Sequence, residues 1–317
     1  MASETEIHAI PVTEVPVEEA LLLLDELKLR LLESTVTTHH QLESIVSPIL
    51  RSRTCRRIYS GCEIIYRSVL TEFGRIIAAE PTPEHPMQAL ATHCQDIRQR
   101  WLEGPRKILN YLQPFLQRAH TVLIHGHSSV ICDSLVHAFA AHKMKFIFTE
   151  GAPLFTGRQS VAYVTARWEE KTGNTDISEY LSIIPDSAAA VTIPSVNFIL
   201  VPATAVTISG GAAGMIGCHQ LAILAHALGK DFYAIAEVFR FSRIFPLNSK
   251  DIRPTDTDET ASALSGDTEH TSLLEYIPPT RIVMYFTNIG LFPPVTAADE
   301  VYNIFFGDCS GKNPLVK

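Results

Sequence analysis

The sequence holds no run of about eighteen uninterrupted apolar residues, the length a helix needs to cross a bilayer, so no transmembrane helix is expected. Its first ten residues carry Glu4, Glu6 and His8 in place of the basic-then-apolar pattern of a secretory signal. Cysteine is sparse: six in 317 residues, at Cys55, Cys62, Cys94, Cys132, Cys218 and Cys309, irregularly spaced and with no CxxC pair. That pattern supports neither a disulfide framework nor a zinc site, and reduced thiols in the cytoplasm are the simplest reading. Charge is scarce too, at 19% of residues with a net of −8. An acidic chain is not built to coat nucleic acid, and a low charged fraction suits a subunit that buries surface against partners. No GxSxG nucleophile elbow and no Walker loop occurs, so nothing positive marks an enzyme.

What is present is apolar residues, 46% of the chain, enough for one large or two ordinary cores. Up to about residue 118 they recur at helical spacing. Val17, Leu21, Leu24, Leu27 and Leu31 fall on one face; so do Ile58, Cys62, Ile65, Val69, Phe73 and Ile76, and again Leu90, Cys94, Ile97 and Trp101. Pro48 and the Pro81, Pro83, Pro86 stretch interrupt them. From Thr121 the pattern changes to short, nearly continuous apolar runs at 121–124, 145–149, 180–184, 196–201, 232–236 and 281–286, mostly separated by helical stretches. That alternation predicts a buried, mostly parallel sheet of Rossmann type. The chain therefore reads as an N-terminal α-helical domain, 1–118, followed by a Rossmann-like α/β domain, 119–317. Asp251 to Thr271, rich in Asp, Glu, Thr and Ser and poor in bulky apolar residues, reads as a disordered acidic insertion in that domain.

Three groups of residues invite a chemical reading. Ser209-Gly210-Gly211-Ala212-Ala213-Gly214 precedes a helix predicted from about Ile216 to Gly229, where glycine amides can cradle an anion or simply turn the chain. His125-Gly126-His127 follows the first strand, where sites in this fold class form. Its spacing fits no zinc pattern, and capping of the next helix by Ser128 or Ser129 competes with any ligand role. Arg51, Arg53, Arg56 and Arg57 cluster at the start of a predicted helix, an unfavourable place for cations. They read either as a solvated face or as a patch for an acidic or phosphorylated partner.

The segment Phe232-Tyr233-Ala234-Ile235-Ala236-Glu237, followed by Phe239-Arg240-Phe241-Ser242-Arg243-Ile244-Phe245-Pro246-Leu247-Asn248, resembles the alpha subunits of eukaryotic translation initiation factor 2B. Gly210-Gly211, Ile216-Gly217 with Gln220-Leu221-Ala222, Thr149-Glu150 with Pro153 and Gly157, Tyr285 to Gly290, and Pro294-Val295-Thr296 add to the likeness. The resemblance spans nearly the whole chain and is strongest over about 120–305. It implies a non-catalytic regulatory subunit of the guanine-nucleotide exchange factor for initiation factor 2. Such a subunit would dimerise through its α/β domain, join the other subunits of the complex, and sense the phosphorylated alpha subunit of initiation factor 2 under stress. The implied partner surface lies between Glu33 and Arg57, with Thr35, Thr37, Glu43, Arg53 and Arg57 as candidate contacts. A sugar phosphate is a further possible ligand, for which His127, Ser128, Gly210, Gly211, Arg240 and Arg243 are the candidates. No cofactor or metal is implied.

The wider family includes isomerases of ribose 1,5-bisphosphate and methylthioribose 1-phosphate, which use a cysteine after an early strand and an aspartate after a later one. Here the first position falls in His125 to Ser129, without cysteine, and the second holds Thr204; Gly214-Met215 replaces the isomerases' Asn-Lys. Hydroxyls cannot match the acid/base range of that pair. A sugar-phosphate isomerase, or a free metabolite sensor, remains the alternative. The acidic insertion yields a test of its own. Because long surface insertions cost little closure entropy, a chain lacking 251–271 melts within about 5 °C of the full protein; a larger drop shows that the segment packs on the body.

Overall fold

A computed structural model describes residues 17–34, 36, 38–50, 61–79, 86–141, 144–173, 176–177, 179–242, 245–246 and 273–306. The acidic segment 251–271, Arg243 and the arginines between 51 and 57 lie outside the described residues. The chain opens with four helices: α1 Val17–Leu32, α2 His39–Leu50, α3 Gly61–Ala79 and α4 Pro86–Leu116. Where they are described, the apolar stripes foreseen from spacing face inward; Ile58 and the side chains of Val17 and Cys62 lie outside the described residues. Leu21, Leu24, Leu27 and Leu31 of α1 meet Ile65, Val69 and Phe73 of α3 and Leu90, Cys94, Ile97 and Trp101 of α4 in one core. Between α1 and α2 the chain turns on a reciprocal cap. The Gln41 amide donates to the Thr38 hydroxyl at 3.4 Å, and the Thr38 amide donates to the Gln41 side chain at 3.2 Å.

The second half builds a seven-stranded sheet. Its elements are β1 Thr121–Ile124, α5 Ser129–Ala141, β2 Lys145–Thr149, α6 Thr156–Thr172, β3 Leu181–Ile184, β4 Phe198–Pro202, then β5 Ala205–Val206, β6 Ala212–Met215, α7 Cys218–Ala227, β7 Asp231–Ile235, β8 Leu274–Ile277, β9 Met284–Thr287, β10 Gly290–Phe292 and α8 Pro294–Phe306. The strand order is β10-β9-β7-β4-β1-β2-β3, parallel except for β10, while β5, β6 and β8 pair as a small antiparallel sheet. The six strand runs foreseen from the sequence all appear in the large sheet. The antiparallel ribbon and β10 were not foreseen.

Residues alternate between the two faces, as strand geometry requires. Val122, Ile124, Phe198, Leu200, Tyr233, Ile235 and Phe286 face one core. Leu123, Ile199, Val201, Phe232, Ala234 and Tyr285 face the other, beneath α7 and α8. The first of these cores is completed by the C-terminal half of α4, through Ile108, Leu112 and Leu116. Phe115 of the same helix packs edge-on to Phe286 at 5.0 Å and to Tyr233 at 5.7 Å.

The 31-residue α4 thus carries its first half in the helical core and its second half on the sheet. A second link is Phe239, which leaves the α/β half to pack on Trp101 at 5.0 Å within the helical core. Trp101→Ala removes that ring from a site 3% exposed. Its expected cost is about 3–5 kcal/mol, read by urea denaturation; a loss below about 1 kcal/mol contradicts a packed seam between the halves.

Candidate functional site

Strand order reverses between β1 and β4, and in open parallel sheets the cleft forms at the carboxyl ends of such strands. His125 directly follows β1 there and is 1% exposed. Its Nε2 lies 2.8 Å from the Ile216 carbonyl and its Nδ1 lies 2.6 Å from the Thr149 hydroxyl, at the end of β2. A carbonyl only accepts, so Nε2 carries the proton and Nδ1 of the neutral ring accepts from Thr149. Burial holds the imidazole below its usual pKa, against smaller upward pulls from the Ile216 carbonyl and the Asp186 carboxylate, whose Oδ1 is 4.0 Å from Nδ1. Gly217, in the left-handed region at φ +100°, makes room for the ring, since a Cβ there would meet His125 Cε1 at 2.7 Å.

One carboxylate lies beside this histidine, and a second holds the start of α7. Asp186 follows β3, and its two oxygens accept from the Gly151 and Ala152 amides, each at 2.9 Å, fixing the loop after β2. Glu275 projects from β8 onto the first turn of α7, where it accepts from the His219 amide. Burial raises the pKa of Glu275, while hydrogen bonding from the His219, Gly217 and Gln220 amides pulls it down by less. Cys218, at the start of the same helix, is fully buried, and its thiol is pushed well up by burial and then by Glu275. The cavity framed by His125, Thr149, Asp186, Gly217, Gln220 and Leu221 measures about 10 Å³, room for roughly one water.

The candidate ligand residues do not converge on this cavity. His127 pairs with the Ser160 hydroxyl at 2.9 Å and packs edge-on to Tyr163. The Ser128 hydroxyl accepts from the Ile131 amide at 3.5 Å, a capping role at the start of α5. Gly210 and Gly211 do not open a helix, which corrects the reading from spacing. The chain runs through β6 first, and α7 begins only at Cys218. The two glycines form the turn between β5 and β6. A Cβ on Gly210 would strike the Pro294 carbonyl at 2.0 Å, and one on Gly211 would strike the Tyr276 ring. The Tyr285 hydroxyl donates to the Gly210 carbonyl at 2.9 Å. Arg240 is buried in an ion pair with Glu237 at 2.7 Å and lies over the Phe239 ring. Arg243 lies outside the described residues.

Among the partner-surface candidates, Glu43 is exposed on α2 and accepts from the Tyr66 hydroxyl at 2.6 Å. Thr35, Thr37, Arg53 and Arg57 lie outside the described residues. Asp186 and Glu275 were missed by sequence reasoning. Asp186 had one available signal, its place directly after a strand run; Glu275 sits inside a strand and had none. Among the described residues, no three His, Cys, Asp or Glu side chains gather as a metal site, and no helix is long and apolar enough to cross a membrane.

Residues 12–294 match the sequence profile of the initiation factor 2 subunit family. The chain belongs to that family. It is 30% identical over 212 residues to a protein of Dictyostelium discoideum named translation initiation factor eIF2B subunit alpha, and 24% identical over 203 residues to the Caenorhabditis elegans protein of the same name. Each match spans 63% of this chain and 63% of the relative's length. Two solved structures share the fold. A chain of the tetrameric eIF2B-beta2-delta2 complex from Chaetomium thermophilum superposes with TM-score 0.69 at 21% identity, covering 92% of this chain and 90% of that one. The eIF2B beta structure from the same organism gives 0.64 at 19%, covering 90% and 83%. The family profile therefore reaches across both halves, and the helical half belongs to the family fold.

The His125 geometry carries a pH dependence. Its folded pKa lies below the unfolded value near 6.5, so the unfolded chain takes up the proton first and stability falls as pH drops through that value. His93, also lowered chiefly by burial, adds a change of the same sign. His125→Gln, which keeps a donor for Ile216, isolates the contribution of His125. Between about pH 7.5 and 5.5 the unsubstituted protein loses about 1 kcal/mol more than the variant in urea denaturation. Equal losses contradict a buried neutral His125.

Proposed function

We propose that this chain is a non-catalytic regulatory subunit of the cytoplasmic guanine-nucleotide exchange factor for initiation factor 2. In that role it joins the other subunits of the initiation factor 2B complex and dimerises through its α/β half. It senses the phosphorylated alpha subunit of initiation factor 2 and so mediates translational control under stress. The exchange chemistry belongs to another subunit. The observation that carries this reading is the family match over residues 12–294, together with curated relatives named as alpha subunits.

The geometry of the cleft supports the non-catalytic part. Both nitrogens of His125 are engaged within the fold, the Asp186 oxygens hold backbone amides, and Cys218 is sealed and held in the thiol form. Thr204, at the position where related isomerases carry aspartate, has its amide bonded to the Ala213 carbonyl at 2.8 Å, inside the antiparallel ribbon. These groups serve the fold, which moves the weight of function from chemistry to surface recognition.

We place the sensing surface on the helical half between Glu33 and Arg57, with Glu43 and the Arg53, Arg57 pair as its charged contacts. An arginine fork suits phosphate or acidic side chains. The test is co-purification with the other subunits, followed by binding of phosphorylated and unphosphorylated partner to a folded Arg53→Glu, Arg57→Glu double variant at two salt concentrations. Affinity for the phosphorylated form falls about tenfold, or about 1.4 kcal/mol, and its salt dependence weakens. Unchanged affinity in an intact complex places the sensing surface elsewhere, and failure to join the complex overturns the subunit assignment.

A further inference from the structure

The chain passes from the helical half to the α/β half once, along α4, so a movement of one half against the other has to bend that helix. At the crossing stand Gly104 and Pro105, the two residue types least suited to a helix interior. Trp101, one turn earlier, belongs to the helical core, and Ile108, one turn later, belongs to a core of the sheet. Pro105 has no N–H, so the bond that its position would give to the Trp101 carbonyl is missing, and its ring crowds the same carbonyl. Gly104 adds backbone freedom beside that gap.

Packing calls for neither residue. A Cβ on Gly104 would meet the Asn288 Cβ at 3.4 Å, an ordinary contact, so alanine fits there. Pro105 is only half-buried. The second proline of α4, Pro114, differs on each count: it is exposed, follows Gln113, and lies in the last turn, wholly on the sheet side. The other links between the halves are contacts that a tilt parts without breaking the chain. Phe239 lies against Trp101, α3 packs on α8 and on the turn at Val238–Arg240, and Asn288, beneath Gly104, accepts from the Val238 amide at 2.8 Å.

We propose that Gly104–Pro105 is a joint about which the helical half tilts, with the contacts of Phe239, α3 and α8 as the clasp that closes it. A few residues that absorb a dihedral change are all a hinge needs, and here they sit on the single crossing between two separately packed cores. The inference does not depend on the exchange-factor reading, because it concerns how the two halves move and not what they bind.

The test reads the clasp with the protein's own fluorescence. The chain has two tryptophans, Trp101 at the seam and Trp168 on α6. In a full-length Trp168→Phe background only Trp101 reports, and its ring, 3% exposed, meets acrylamide only while the seam is open. Gly104→Ala with Pro105→Ala restores the missing N–H and puts the best helix former at the crossing; quenching then falls at least about threefold, and the amides of 238–241 exchange about tenfold more slowly. Pro114→Ala leaves both readings unchanged. A second measurement needs no variant: in the unsubstituted protein the amides of 106–109 exchange at least about tenfold faster than those of 94–98 and 110–113. Uniform exchange along α4 overturns the proposal. Equal quenching in the parent and the folded double variant overturns it too, as does an equal effect of Pro114→Ala, which reduces the joint to general helix stability. Gly104→Ala alone, whose methyl the site accommodates, serves if the double variant does not fold.

Discussion

A parallel sheet must be covered on both faces, because neither side of its strands carries enough polar surface to meet water. In this chain one cover comes from α7 and α8. The other is supplied by α5, α6 and the last turns of α4, a helix that begins in a different core. The same helix therefore completes the helical core with Leu90, Cys94, Ile97 and Trp101 and the sheet's core with Ile108, Leu112 and Leu116. The two halves share a structural element as well as a chain, and the Trp101–Phe239 contact ties them a second time. A perturbation of the helical half therefore has a packed route to the sheet.

The cleft at the end of β1 is built by topology and by internal hydrogen bonding together. Its position is set by topology, at the point where strand order reverses. Its contents are set by internal hydrogen bonding. His125 bridges β1 to the Ile216 carbonyl and to Thr149, Asp186 ties the loop after β2 to the end of β3, and Glu275 ties α7 to the small antiparallel sheet. Each contact satisfies a buried or half-buried polar group whose neglect would cost about 1–3 kcal/mol. These side chains hold β1, β2, β3, α7 and β8 in register.

Much of this fold was legible because it rests on apolar patterning. The helical stripes ending at Trp101 and the runs that became β1, β2, β3, β4, β7 and β9 carry β-branched, aromatic or leucine residues at the right period. The antiparallel ribbon was not legible. Ala205-Val206 is only two residues long and Ala212-Ala213-Gly214-Met215 is mostly small, and it is the pairing of β5 with β6, and of β6 with β8, that makes them strands. The glycines at 210 and 211 misled for a related reason. Glycine is needed both where an anion approaches backbone and where two segments pack closely, and only the neighbours Pro294 and Tyr276 decide between these. Arg240 looked available as a cation because Glu237 lies three residues away with no periodic signal, and the short helical turn at Val238–Arg240 brings the two together. Asp186 and Glu275 are far apart in sequence and act on backbone amides, which leaves no motif to read.

On the proposed reading, the chain matters to exchange only through what it senses. The most direct measurement is the rate of nucleotide exchange on initiation factor 2, catalysed by the complex with and without this chain, across increasing amounts of the phosphorylated factor. The account predicts that the phosphorylated form slows exchange strongly when the chain is present and weakly when it is absent. Equal inhibition in the two preparations would contradict it.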